Sequence, residues 1–437
     1  MLWLRPHLVP VSNRSAVPLN PTRATEPSGA PHEAPNRGPR RRLRRSLRGR
    51  TLARRLSRAD TEITVVNAVP DFVQRLRLHQ LAAGQKIENP QLTEVFAGTE
   101  IQLRLARVTA VDAERQVAIV ADADGGGELG YDTLVYALGS HGDNSGLPGA
   151  AEHAFDIASR PSALRLRERL DKLDERTGGG SVLVIGDGLT GIESATEIAE
   201  SRPGLSVTLI ARGELGARLS TGARKHLRRV CDRLEVAVLQ HTSVEAVEPE
   251  RVLCADGTVV ASDATVWTAG FAVDPIAAEA GVDATDDGRI VVDRTMQSVS
   301  HPGIYAIGDA AYAIGDNGRP LPMSCASAGY TGTQAIEAIV ARLIGRDVRQ
   351  TKLLYYGNHI SLGRRDGIVQ MVDDEGAAKP KHTGGRNAAI IKSGIVKASL
   401  WATSHPTFCM PKRKHRVTAA PRTPTAVRRP DTPAEIA

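Results

Sequence analysis

The stretch "VLVIGDGLTGIESATEIAE", Val182–Glu200, decides how the rest of the chain is read. Val182–Ile185 is an unbroken apolar run, the mark of a strand buried on both faces. Gly186, Gly188 and Gly191 follow at G-x-G-x-x-G spacing, and Ile192, Ala195, Ile198 and Ala199 then recur at helical spacing. In such a unit the first glycine allows a tight turn and the second lets a pyrophosphate approach the backbone. The third lets helix and strand pack closely. The free N–H groups of the helix start face the phosphates. A second strand, "SVTLIA", arrives on schedule. The pattern predicts a dinucleotide on a parallel sheet; the plainer alternative is a glycine-rich strand-to-helix turn.

The end of that second strand bears on which nucleotide is held. An NAD site usually carries a carboxylate there, accepting from the ribose 2′-OH. This chain has Ala211 and then Arg212, with Arg218 further on, so a 2′-phosphate is tolerable and Arg212 is a candidate to pair with it. Glu214 is close enough to keep NADH open.

Work outward from the fingerprint and the same texture recurs. Short β-branched runs such as "EITVVN" and "YDTLVYALGS" alternate with helical stretches such as "RPSALRLRERLDKLDER" and "GTQAIEAIVARLIG". That alternation predicts an α/β fold of parallel sheets covered by helices. In "HPGIYAIGDAA" a second apolar strand, Ile304–Ile307, runs into Gly308, Asp309 and Ala310, small residues expected to open a helix. A carboxylate there accepts hydroxyl hydrogen bonds from a polyol, or serves as a helix N-cap.

Four elements in this order resemble the two-dinucleotide-binding flavoprotein reductases, most closely type II NADH dehydrogenase-like proteins. They are Gly186–Gly191 followed by Glu193, "YALG" at Tyr136–Gly139, "VWTAG" at Val266–Gly270 and "GIYAIGDAA" at Gly303–Ala311. The resemblance spans about residues 60–410. It implies two Rossmann-like domains and a C-terminal region, with FAD and NAD(P)H as cofactors. The FAD domain is split over 51–157 and 271–345, the NAD(P) domain is inserted at 158–270, and 346–410 follow. It implies that Asp309 binds the ribityl chain of FAD and that Gly139 and Gly270 lie where the chain crosses between domains. It sets Glu193 near the nicotinamide–flavin junction; the alternative is a solvated first-turn acid favoured by the helix dipole. Hydride would pass from NAD(P)H to the flavin and on to an acceptor, with no side chain needed as acid or base for the first half.

The acceptor is not legible. The family's quinone segment carries paired glutamines, whereas "CASAGYTGTQAIEA" here has Gln334 alone. "AAIIKSGIVKASLWATS" sets Ile391, Ile395 and Trp401 against Lys392 and Lys397, and "PKRKHR" follows; together they are consistent with peripheral contact to an anionic membrane, or with an ordinary helix and a solvated tail. The four cysteines form no C-x-x-C pair, which argues against a disulfide reductase or a cysteine zinc site and fits a reducing cytoplasm. Cys325 is expected to be a buried structural residue near the flavin, and His79 and His359 to be structural. No metal site is expected. No apolar run reaches membrane-spanning length.

The two ends are foreign to this pattern. Residues 1–58 carry 14 arginines against two acids, and 411–437 carry seven cations against two, so the body at 59–410 is at −10 despite the net +7. The basic balance therefore says little about the body's partners. In "PRRRLRRSLRGRTLARRLSRADTEITVVNA", Pro39–Ala68, the family layout calls for a strand, a glycine turn and a helix before "EITVVN". Leu52 and Leu56 can end that helix, and Asn67 stands where a ribose acceptor belongs. Nothing before Thr51 reads as the strand and turn, and residues 1–38 read as disordered. We expect a misassigned or frame-shifted start; an arginine arm for nucleic acid at 37–58 is the lesser reading. Without the turn, a flavin-deficient dinucleotide-binding protein on the same fold stays open.

Overall fold

The computed structural model describes residues 2–6, 49–57, 59–143, 146–404 and 414–417. Its centre is a five-stranded, wholly parallel sheet ordered Ala237–Leu239, Ser206–Ile210, Ser181–Ile185, Ala264–Trp267 and Ala154–Asp156. Helix Leu189–Ser201 makes the crossover to Ser206–Ile210 and buries Ile192, Ala195, Ile198 and Ala199. Helix Arg160–Asp174 starts on Ser159, whose hydroxyl accepts from the Ser162 N–H, and buries Ala163, Leu166, Leu170 and Leu173. The edge strand Ala154–Asp156 lies just ahead of residue 158.

A second five-stranded sheet runs Ile304–Ala306, Thr133–Tyr136, Leu2–Pro6, Thr61–Asn67 and Gln102–Leu105. The outer pairs are parallel. Helix Cys325–Leu343 covers it and shares its core through Ala335, Ile336 and Ile339. The chain crosses between the two sheets twice, and the crossings pair as antiparallel strands, Ser140–Gly142 with Phe271–Val273. Gly139 and Gly270, one residue before each crossing strand, are left-handed at φ +76° and +89°. A third sheet, Gly357–Leu362, Asp366–Val372 and Ala378–Gly384, leads into helix Gly385–Ser404. Its Ile360, Leu362 and Ile368 belong to the same core as Val184 and Ile198 of the parallel sheet.

Two expectations are corrected here. Residues 2–6 are not disordered: Leu2–Pro6 is a strand in the middle of the second sheet, antiparallel to both neighbours. Two parallel strands with unpaired inner edges accept a third strand in either direction, because both ladders satisfy the backbone. The remaining residues up to 48, with most of the arginine run, lie outside the described residues. Helix Gly49–Arg55 buries Leu52, Leu56 follows it into the core, and Arg55 is an internal brace, donating to Glu337 at 2.5 and 3.1 Å. The second correction concerns Asp309. No helix opens there. Gly308–Ala310 is a single 3-10 turn, and Ala311–Tyr312 then pairs with Ile290–Val291. The covering helix starts only at Cys325, capped by Ser324.

Of the basic tail, 414–417 are described. His415 bridges to Leu56, and Arg416 meets Asp60 at 3.5 Å.

Candidate nucleotide and electron-transfer cleft

The three glycines of the fingerprint differ in what a side chain would meet. At Gly186, φ is +112° and a Cβ would stand 2.8 Å from Thr268 Oγ1. At Gly191 it would stand 1.8 Å from the Gly186 carbonyl oxygen and 2.7 Å from Thr268 Oγ1. At Gly188 it would meet nothing within 4 Å. Gly186 and Gly191 therefore close the turn against the neighbouring strand end, and Gly188 leaves a seat above the helix N-terminus. A pyrophosphate fits that seat, so the turn suits an NAD(P) nucleotide.

Glu193, one turn into the helix, is buried at 8% exposure. Its Oε1 accepts from the Ser361 N–H at 2.9 Å and lies 3.1 Å from Lys392 Nζ. Lys392 also donates to the His359 carbonyl at 2.6 Å. Burial opposes ionisation of Glu193, but Lys392, His79 and the Ser361 N–H outweigh it and hold the carboxyl below its ordinary range. Lys392 therefore does not belong to a solvated face. Desolvation pushes the buried His79 down, against the pull of Glu193, and its Nε2 has no hydrogen-bond partner. One turn beyond Glu193, Glu197 is fully buried and neither of its oxygens is hydrogen-bonded. Burial pushes its carboxyl up to about 7, against Arg364, whose guanidinium is 3.9 Å away.

The second sheet contributes the opposite wall. Ser140 Oγ donates to Asp309 Oδ2 at 2.7 Å, and Arg75 donates to the Ser140 carbonyl at 2.7 Å. A Cβ on Gly139 would meet Arg75 Nη1 at an ordinary 3.4 Å, so it is the left-handed φ of +76° that favours glycine there. The Gly308 N–H donates to Thr331 Oγ1 at 3.0 Å, tying the turn to the covering helix, and Ala310 is buried beneath it. Cys325 opens that helix. It is exposed rather than buried. Surrounding protein, then Asp309, push its thiol up, while Arg75 and Lys392 pull it down and Glu193 adds to the push. Asp309 follows the second sheet, Glu193 stands on the fingerprint helix and Lys392 on the last helix.

Other candidates stand elsewhere. Asn67 ends its strand and donates to the Val69 carbonyl at 2.6 Å, leaving its oxygen free to accept. Gln334 is fully buried. Its oxygen accepts from the N–H and hydroxyl of Thr351, both at 2.7 Å, and its amide donates to Arg349. It braces a loop and does not face an acceptor. Sequence reading missed Arg75, Ser140, Lys392 and Glu197; only Glu197 left a signal, an acid on the apolar face beside Ile198.

Asp309 and Gly308, tied to the covering helix through Thr331, suit a ribityl chain. The pyrophosphate end is different. Leu2–Pro6 runs backward, so its amino end, Leu2, lies beside Val65 and Val135, where the family layout has a glycine turn. Among the described residues no such turn stands there.

A family model described as pyridine nucleotide-disulphide oxidoreductase matches residues 49–332. The chain belongs to the pyridine nucleotide-disulphide oxidoreductase family. It is an FAD- and NAD(P)H-dependent oxidoreductase. This oxidoreductase is 30% identical over 280 residues to an NADH dehydrogenase-like protein of Mycobacterium tuberculosis, covering 60% of this chain and 68% of the relative. It is 27% identical over 373 residues to a type II NADH:quinone oxidoreductase of Staphylococcus epidermidis, covering 79% and 90%. The NDH2 of Plasmodium falciparum in complex with NADH shares the fold at TM-score 0.67 and 12% identity, covering 83% of this chain and 97% of that one.

Proposed function

We propose that this oxidoreductase takes hydride from NAD(P)H and passes the electrons to a quinone at a membrane surface. The observations that carry the reading are the open seat at Gly188 in the fingerprint turn, the Ser140–Asp309 hydrogen bond at the end of the second sheet, and the paired crossings Ser140–Gly142 and Phe271–Val273 that join the two. Gly186, Gly188 and Gly191 take the pyrophosphate of the nicotinamide nucleotide. Asp309, Gly308 and Ala310 form the ribityl side, Asn67 accepts from the adenosine ribose, and Gly139 and Gly270 make the crossings. The flavin domain is 51–153 with 271–345 and takes in Leu2–Pro6, and the nucleotide domain is 154–270, because Ala154–Asp156 pairs in the parallel sheet. FAD, when bound, supplies a ring that takes hydride from the nicotinamide and gives electrons to the acceptor. Lys392 keeps Glu193 ionised beside the nicotinamide end, and the two crossings hold the walls in register. Quinone is favoured by the similarity to a demethylphylloquinone reductase of Synechocystis and to type II NADH:quinone oxidoreductases. Membrane contact is favoured by Ile390, Ile391 and Ile395, exposed on helix Gly385–Ser404. No helix among the described residues is long and apolar enough to cross a membrane. The contact we propose is peripheral, on the cytoplasmic face.

The test is anaerobic titration of the full chain, reconstituted with FAD, by NADH and NADPH. Bleaching of the flavin spectrum, restored by a short-chain quinone, is the expected result. A protein that takes up no FAD refutes the reading in favour of a flavin-deficient nucleotide binder.

A further inference from the structure

The strand end beside the glycine turn distinguishes two nucleotides. The Gly186 N–H donates to the Ile210 carbonyl at 3.0 Å, which sets the turn directly against the end of strand Ser206–Ile210. Ala211 is still pinned to the sheet, its N–H on Leu239 and its carbonyl on Thr242. The chain then leaves the sheet at the ligand edge through Arg212. At the strand end itself, where a ribose diol needs an acceptor, stands the methyl group of Ala211.

The charges around this corner are sorted. Glu214 is the sole acid between residues 211 and 220, and its Oε2 is taken by Arg224 at 2.6 Å. Arg228 is committed to Gln240 at 2.7 Å, and the same Gln240 oxygen accepts from the Leu215 N–H, which fixes the loop. Arg212 and Arg218 are exposed and form no ion pair among the described residues. His241, exposed, donates its N–H to the Gly213 carbonyl and so borders the same loop. The loop that leaves the strand end thus carries two exposed arginines outside any ion pair among the described residues, while its own carboxylate, Glu214, is neutralised. That arrangement does not suit a neutral 2′-hydroxyl seeking an acceptor. It suits a doubly charged 2′-phosphate, which guanidinium binds by paired charge-assisted hydrogen bonds.

We infer that this site prefers the 2′-phosphorylated dinucleotide, NADPH, and that Arg212 and Arg218 determine the preference. The inference rests on the reading that Gly186–Gly191 seats the pyrophosphate, and it departs from the relatives whose names specify NADH.

Titration calorimetry of the full chain with NADP+ and with NAD+, which differ only in the 2′-phosphate, tests it without requiring flavin. Tighter binding of NADP+ by about tenfold or more is expected, as two charge-assisted bonds supply. In Arg212→Ala/Arg218→Ala the preference should fall to within about threefold while NAD+ affinity is unchanged, which also shows that the variant is folded. The ratio of kcat/KM for NADPH over NADH should fall in parallel. Equal or tighter binding of NAD+ by the wild type overturns the inference and leaves the glycine turn standing. A preference that survives the double substitution overturns the roles of the two arginines. Failure of both nucleotides to bind overturns the pyrophosphate reading and the inference together.

Discussion

Glu197 makes the nucleotide domain's stability depend on pH in an unusual direction. Its carboxyl is fully buried, without a hydrogen-bond partner, and its pKa is pushed up from 4.5 to about 7 by burial. The folded state therefore holds a proton that the unfolded state has released between those two values. Stability is intact below pH 4.5 and falls as pH rises through 7, the reverse of an ion-paired carboxylate. The displacement corresponds to about 3 kcal/mol, of which roughly 2.5 kcal/mol falls between pH 5 and pH 8. Glu197→Gln keeps the shape and removes the titration. Urea unfolding of both proteins across that range cancels the background ionisations in their difference. The variant should gain on the wild type by about 2.5 kcal/mol from pH 5 to pH 8. A difference that stays flat would mean that Glu197 is ionised throughout, held by Arg364, and the reasoning from burial would fail.

Two further outcomes follow from the same geometry. Gly188→Asp fills open space with a good N-cap residue, so stability should change by less than about 0.5 kcal/mol while 5′-ADP affinity collapses. Gly191→Ala drives a methyl group into the Gly186 carbonyl and should unfold the turn itself, which a thermal melt reads; equal tolerance of both substitutions would contradict the assigned roles. Lys392→Met strands Glu193 in the interior and should cost about 3 kcal/mol in urea unfolding, recovered in good part by adding Glu193→Gln. No recovery in the double variant would mean that Lys392 acts through packing alone.

What the sequence revealed was what local chemistry dictates. The turn at Gly186–Gly191, the apolar stripe from Ile192 to Ala199, and the four motifs that carried the resemblance are all properties of neighbouring residues. Strand direction is not such a property. Leu2–Pro6 enters its slot backward because hydrogen bonding to two open edges is indifferent to polarity, and nothing in "LWLRP" encodes the choice. Long-range pairing was equally hidden. Lys392 reads as the polar face of an amphipathic helix until the fold carries it to Glu193, 199 residues earlier in the chain. Cys325 opens one helix and Gln334 sits at its middle, where the loop at 349–351 covers it.

Glu193 is held from three directions: by its own helix, by the Ser361 backbone and by Lys392. The C-terminal sheet also shares a core with the parallel sheet through Ile360, Leu362 and Ile368. The nucleotide domain and the C-terminal sheet are thus one mechanical body, and the paired crossings at Ser140–Gly142 and Phe271–Val273 are its pivot. Any shift of helix Gly385–Ser404 that moves Lys392 therefore acts on Glu193 and on the His359 carbonyl together.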